Sequence, residues 1–204
     1  MYAVGRIPGG YLKREARPSE KGTLTARMID RPIRPGFVDG FKHEVHVVAT
    51  TLVADHTNPI DTICVAGASA SLMLASAPFD GPVACVRVGR DKDTGDFICN
   101  PTYQEQENSD LDLVIAGTTE YISMIEAGGE EIAEEDMLAA MSFGQTAIAE
   151  FCAAQQRFLD KCTIEKKEWS IHVPDASIAE RVDPFFDEMS AALKDADKQA
   201  RMGK

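Results

Sequence analysis

The sequence predicts an α+β fold, a mixed sheet with packed helices, followed by a small all-α segment. Three observations carry this expectation. Between residues 82 and 127, four short runs rich in Val, Ile and Leu are separated by turn-forming residues, the pattern of successive strands. Two long stretches, 61–76 and 134–161, are apolar without strand-like punctuation and read as helices. From about Ser170 the chain turns polar and alanine-rich, with Pro174 and Pro184 at segment starts, as in short helices. At 204 residues, 44% hydrophobic and 26% charged, the chain is long enough for one sizeable core with an appendage.

The elements follow in order. The first 40 residues are punctuated by Gly9-Gly10, Arg17-Pro18, Pro32, Pro35-Gly36 and Asp39-Gly40. Ser19 is placed to cap a helix from about Glu20 to Asp30, with Leu24 and Met28 on its apolar stripe. Pro32 is expected to end that helix at or near Asp30, leaving Arg34 on a turn. Residues 43–53 alternate Val45, Val47, Ala49 and Thr51 and predict a half-buried strand. The 61–76 helix is expected to be buried on most sides and stopped by Pro78. Strands are expected at 82–89, 96–100, 111–118 and 121–127, with 91–96 as a hairpin turn and 104–110 as a polar loop. The 134–161 helix should turn Met137, Met141, Ile148, Phe151, Cys152 and Phe158 to the core. Its acidic start (Glu134, Glu135, Asp136) suits the positive end of a helix dipole.

Composition narrows the function classes. No uninterrupted apolar run reaches the roughly 18 residues of a membrane span, and no signal-peptide pattern is expected, so no membrane partner is predicted. Five cysteines, an odd number without C-x-x-C spacing, read as free, mostly buried thiols and predict a cytoplasmic location. His43 and His46 form H-x-x-H, but on a strand these positions point to opposite faces, so no metal site is expected there. His56 and His172 have no partners in sequence, and Trp169 is expected to pack at the junction with the appendage.

The charge is unevenly spread. The chain carries −12 overall, yet residues 6–34 hold eight basic and three acidic side chains, a local +5 against −17 elsewhere. Such a patch draws a polyanion to one face while the rest of the surface repels it. Arg27, Arg31 and Arg34 have the spacing of one helical face if the helix continues, and guanidinium forks grip phosphate oxygens. The same residues could instead pair with Glu20, Asp30 and the acidic body, and the residues alone leave both readings open. Upstream, Tyr11 and Leu12 interleave with Lys13, Arg14 and Arg17 beside two glycines. A ring among cations is what single-stranded RNA uses, bases stacking while phosphates meet the charges. A basic turn with Tyr11 packed inward is the alternative.

"GRIPGGYLKREARPSEKGTLTARMIDRPIRPGF", "AGASASLMLASAPFDGP" and "SDLDLVIAGT" together resemble the first ribonuclease-PH-like core of the bacterial polynucleotide phosphorylase family, in order and spacing, over about the whole chain. The resemblance implies a ribonuclease-PH-like fold (ribosomal protein S5 domain 2-like) over 1–168 and the start of an all-helical linker over 169–204. It implies a chain that begins partway through that core, lacking its opening strands, and ends before the second core. The family degrades single-stranded RNA from the 3′ end with inorganic phosphate, releasing nucleoside diphosphates, and forms a homotrimer. Its Mg²⁺ belongs to the second core, so no cofactor is expected in this chain.

The resemblance also assigns roles. Tyr11, Leu12, Lys13 and Arg14 match an RNA-contacting loop at a channel mouth, where the family has Phe-Phe-Arg-Arg; Arg27, Arg31 and Arg34 match arginines lining the RNA track. Against the second core's catalytic motifs, the phosphate loop reads Thr57-Asn58-Pro59-Ile60-Asp61, without serines. Asp110 matches a metal-binding aspartate, Val114 replaces a lysine, and the partner aspartate falls on Gln104. The core is therefore expected to have no catalytic residues and no metal, Asp110 being vestigial and meeting an arginine or capping a strand end. A purely structural trimer scaffold and a stand-alone ribonuclease PH are the alternatives.

Overall fold

A computed structural model of the chain describes residues 19–202. Tyr11, Leu12, Lys13, Arg14 and Arg17 lie outside the described residues. The described chain divides into two units, one of residues 19–38 and His43–Trp169, the other of Asp39–Lys42 and residues 170–202.

The first unit is built on a four-stranded antiparallel sheet, β1 (Ala84–Asp91), β2 (Phe97–Cys99), β3 (Ser109–Gly117) and β4 (Ile122–Gly129), in the order β2-β1-β3-β4. The strand alternation assigns two apolar faces. Val86, Val88, Leu111, Leu113 and Ile115 pack against the long helix α4 (Glu134–Leu159) through Ala140, Ile148 and Cys152. Cys85, Val114, Ala116 and Met124 pack on the opposite side with Met28 of α1 (Glu20–Ile33) and Val65 of α2 (Asp61–Leu74). Helices therefore cover both faces, which is why β1 and β3 read as near-continuous apolar runs. Gly144 lets α4 approach closely: a Cβ there would sit 2.5 Å from Ile115 Cδ1 and 3.0 Å from Val88 Cγ2.

Just ahead of β1, Val83 is held from both helical layers. Its N–H donates to Ser69 Oγ of α2 at 2.9 Å, and its carbonyl accepts from Gln155 Nε2 of α4 at 3.0 Å.

Helix α1 starts where expected, with Ser19 Oγ accepting from Gly22 N–H at 3.1 Å, but it runs through Pro32 to Ile33 and continues as a 3-10 turn, Arg34–Gly36. Pro32 sits in the last turn, where it removes one N–H at the helix end, and its ring is fully buried. The N–H of Arg34 still reaches Asp30 O, so all three arginines stay on helical spacing.

Other expectations are corrected. Residues 43–53 form no strand; Val48, Leu52 and Val53 are exposed, and no described strand pairs with them. Alternation assigns faces to a strand but does not supply the neighbour whose backbone completes the ladder. Helix α2 is buried along one side only, through Val65, Ala68 and Leu72, while Ile63 and Leu74 are exposed. The polar run 104–110 contains a short helix, α3 (Tyr103–Glu107), opened by a Thr102/Glu105 capping box. Phe158 is exposed rather than in the core. Among the described residues α4 is long and apolar enough to cross a membrane by length and composition, although Ile148 and Cys152 bury one side of it in the core. Trp169 packs within the first unit, its Nε1 donating to Ser76 O at 2.7 Å and its ring meeting His43 edge-on.

In the second unit, Phe41 bridges to Ile171, and Gly40 takes a left-handed φ of 84° beside the His172 carbonyl, where a Cβ has no room. Helices α5 (Ala176–Val182), α6 (Phe186–Leu193) and α7 (Lys198–Met202) follow, α5 being capped by Asp175.

Candidate functional site

Two features of the first unit carry chemistry: a row of arginines on α1 and a charged cleft beneath it. Arg27 and Arg31 stand on one side of α1, about 6 Å apart along the axis at about 1.5 Å per residue, and Arg34 continues that side from the C-cap, at the start of the 3-10 turn. All three are exposed. Arg31 meets Glu126 of β4 at 3.2 Å, with side chains 46% and 59% exposed. Arg34 forks onto Asp30 at 3.1 and 2.6 Å. Arg27 has no ion-pair partner among the described residues. Exposed pairs of this kind are worth about 0–1 kcal/mol each and yield readily to a competing anion.

The cleft, about 560 Å³, lies between the first half of α1, the start of α2 and the β3–β4 surface, and is lined among others by Lys21, Asp61, Arg87, Asp112, Val114 and Glu126. Arg87 extends from β1 on the α1/α2 side, directly opposite Val114 and diagonal to Asp112. Its Nη1 donates to both Asp112 oxygens at 2.5 and 2.7 Å, and its Nη2 to Asp61 Oδ2 at 2.8 Å. Burial works against the Arg87 charge, but Asp112 and Asp61 outweigh it and hold its pKa above the ordinary arginine value.

The loop that precedes α2 is closed in the same way. The N–H groups of Thr57 and Asn58, which an oxyanion would need, donate to Asp55 Oδ1 at 2.9 and 3.0 Å, and Asn58 Nδ2 donates to Oδ2 at 2.5 Å. Asn58 first, then Thr57, holds the Asp55 carboxyl well below its usual range, at about 2. Because the folded value is depressed, this interaction stabilises the fold fully above about pH 4, the unfolded carboxyl value, and is lost as pH falls toward 2. The stability difference between the native chain and Asp55→Asn, from urea midpoints, should therefore be present at pH 7 and shrink steadily below pH 4.

Asp110 is also gripped. Arg90 reaches its two oxygens at 3.0 and 2.6 Å and meets Asp136 at the start of α4 at 2.6 Å. The Arg90 hydrogen bonds hold the Asp110 carboxyl below its usual range. Gln104 lies exposed on α3. The β3 carboxylate that lines the cleft with Val114 is Asp112, two residues on from Asp110; Glu20, Asp61 and Glu126 line it from other elements. A Mg²⁺ ion needs free carboxylate oxygens in near-octahedral array. Here Asp61, Asp110 and Asp112 already hold guanidinium groups, so these residues do not fit the metal. Among the described residues, no three His, Cys, Asp or Glu side chains are grouped to hold one.

The sequence reading missed Asp55, Arg87 and Asp112. A signal for two of them was present: Arg87 and Asp112 are charged residues inside otherwise apolar strands, which calls for partners of opposite charge. The five cysteines are free, and burial pushes the Cys85 thiol up to about 12 and the Cys152 thiol to about 11.

Comparison with known proteins gives the family. The domain 1 model of the 3′ exoribonuclease family matches residues 1–78 and its domain 2 model residues 81–147. A polyribonucleotide nucleotidyltransferase from Listeria welshimeri is 42% identical over 202 residues, 98% of this chain and 28% of that protein. One from a Synechococcus species is 52% identical over 168 residues, 82% of this chain and 23% of that protein. The chain thus spans about a quarter of the length of the curated relatives it matches. The crystal structure of rice Rrp46 shares the fold at a TM-score of 0.52 with 13% identity, over 71% of this chain and 68% of that one. With both domain models in sequence order and relatives of this identity along it, the chain belongs to the 3′ exoribonuclease family and is similar within it to polyribonucleotide nucleotidyltransferases.

Proposed function

We propose that this chain is a non-catalytic, RNA-guiding core of a phosphorolytic 3′-to-5′ exoribonuclease that degrades RNA with inorganic phosphate to nucleoside diphosphates. Internal pairing carries the reading: in the loop before α2, Asp55 occupies the amides a phosphate would use, and in the cleft Arg87 occupies the carboxylates a metal would use. What remains open to a ligand is the exposed arginine row of α1, continued in sequence by Lys13, Arg14 and Arg17. Phosphates of a single strand displace Glu126 and Asp30 from these arginines, and Tyr11 offers a stacking ring. Catalysis with Mg²⁺ in a second core of the full-length enzyme, a homotrimeric ring, a cytoplasmic location and the domain division at 168/169 belong to the same proposal.

Incubating the chain with poly(A), inorganic phosphate and Mg²⁺ should release no nucleoside diphosphate above background; robust release, abolished by Asp112→Asn, defeats the non-catalytic reading. A second reading, a purely structural scaffold, is favoured by the ion pairs that Arg31 and Arg34 already make. Filter binding of labelled poly(A) at low salt separates the two, since a scaffold retains no RNA.

A further inference from the structure

The disagreement between this cleft and a metal ion has a specific chemical form. Asp61 and Asp112 come from different elements, the first residue of α2 and the middle of β3, yet both converge on one guanidinium. Asp61 is 15% exposed and Arg87 14%, so the group is largely out of solvent, whereas Asp112, at 57%, opens to the cleft. Two carboxylates from separate elements, converging at the wall of a cleft, are the hard-oxygen arrangement that a divalent cation bridges. Here the bridging charge is supplied by the chain. The Arg87 Nε is buried without a hydrogen-bond partner among the described residues, so the guanidinium is placed by the two carboxylates at its other nitrogens and not by complete satisfaction of its own donors.

We propose that Arg87 is a tethered cation filling a latent two-carboxylate divalent-cation site formed by Asp61 and Asp112, and that it keeps divalent metal out of this cleft. A tethered ion competes at high effective concentration. Arginine does not deprotonate at physiological pH, so no change of acidity in that range releases the site. Removing the guanidinium leaves two like charges facing one place, the Asp61 carboxylate poorly solvated, which a hydrated divalent ion relieves. The inference deepens the non-catalytic reading and rests on it, but the two fail separately. Phosphorolysis by the native chain tests the reading, and metal binding tests the lock.

The test is a titration of the native chain, Arg87→Met and Arg87→Met/Asp112→Asn with Mn²⁺ alone, read by electron paramagnetic resonance, with circular dichroism to verify folding. Arg87→Met should gain one Mn²⁺ site at least 10-fold tighter than any in the native chain, and the double variant should lose it. Arg87→Gln, which keeps an amide donor for one carboxylate, is titrated in parallel and replaces Arg87→Met if that variant does not fold. In the native chain, Mn²⁺ should leave the NMR signal of the Arg87 Nε–H unbroadened. A folded Arg87 variant that gains no site overturns the proposal. So does selective broadening of Arg87 by Mn²⁺ in the native chain, which remains decisive if neither variant folds.

Discussion

Neutralising the arginine row with Arg27→Gln, Arg31→Gln and Arg34→Gln together is expected to lower affinity for single-stranded RNA roughly 10- to 100-fold at low salt, and to flatten its salt dependence by about 2 in log–log slope. The slope follows from counterion release, about 0.7 per phosphate contact on a single strand, summed over three contacts. The neutral variants also release Glu126 and Asp30 from exposed pairs worth about 0–1 kcal/mol each, so the fold should persist. Fluorescence anisotropy of labelled poly(A) between about 50 and 200 mM salt reads both quantities. An unchanged slope would return Arg31 and Arg34 to their intramolecular pairs as their whole purpose. Arg27→Gln alone should give the largest single loss, because it has no carboxylate to leave among the described residues.

Ile115→Ala is expected to destabilise the chain by about 2–5 kcal/mol, a large part of the 5–15 kcal/mol typical of a domain. Ile115 is fully buried between β3 and α4, and its Cδ1 fills the space left by the missing side chain of Gly144. The truncation therefore opens a cavity against the helix at the point of closest approach. Adding Gly144→Ala should recover part of the loss, through the filled space and about 1 kcal/mol of helix propensity. In the native chain the same Gly144→Ala forces a methyl to 2.5 Å from Ile115 Cδ1, so it should give no comparable gain. Urea denaturation of the four species forms a double-mutant cycle, and additive effects would show that the two positions are not packed on each other.

How much of this was legible in the sequence depends on whether the signal is local. The four strands, the 91–96 turn and the long helices were readable because apolar period and turn chemistry are properties of adjacent residues. The Thr102/Glu105 box was equally local and simply went unread. Residues 43–53 and the outer side of α2 misled because burial requires a partner surface that periodicity does not name. Pro32 misled because a proline in the final turn sacrifices little. The arginine row was visible as a row, but its partners were not: Glu126 lies 95 positions away, and only the pairing of β3 with β4 and the seat of α1 bring it near. The cleft was the least legible. Asp110 was expected to meet an arginine or cap a strand end, and it meets Arg90; that Arg87 captures Asp112 instead is a matter of strand register between β1 and β3.

Val83 carries a last consequence. Its amide is fastened to α2 and its carbonyl to α4, so the two helical layers on opposite sides of the sheet share one residue as their common anchor. Peeling either helix away strands a buried backbone group without a partner, which penalises every half-open state of the molecule. The layers are thereby coupled into one cooperative block, and partial opening is pushed outward to exposed segments, residues 47–53 among the described ones.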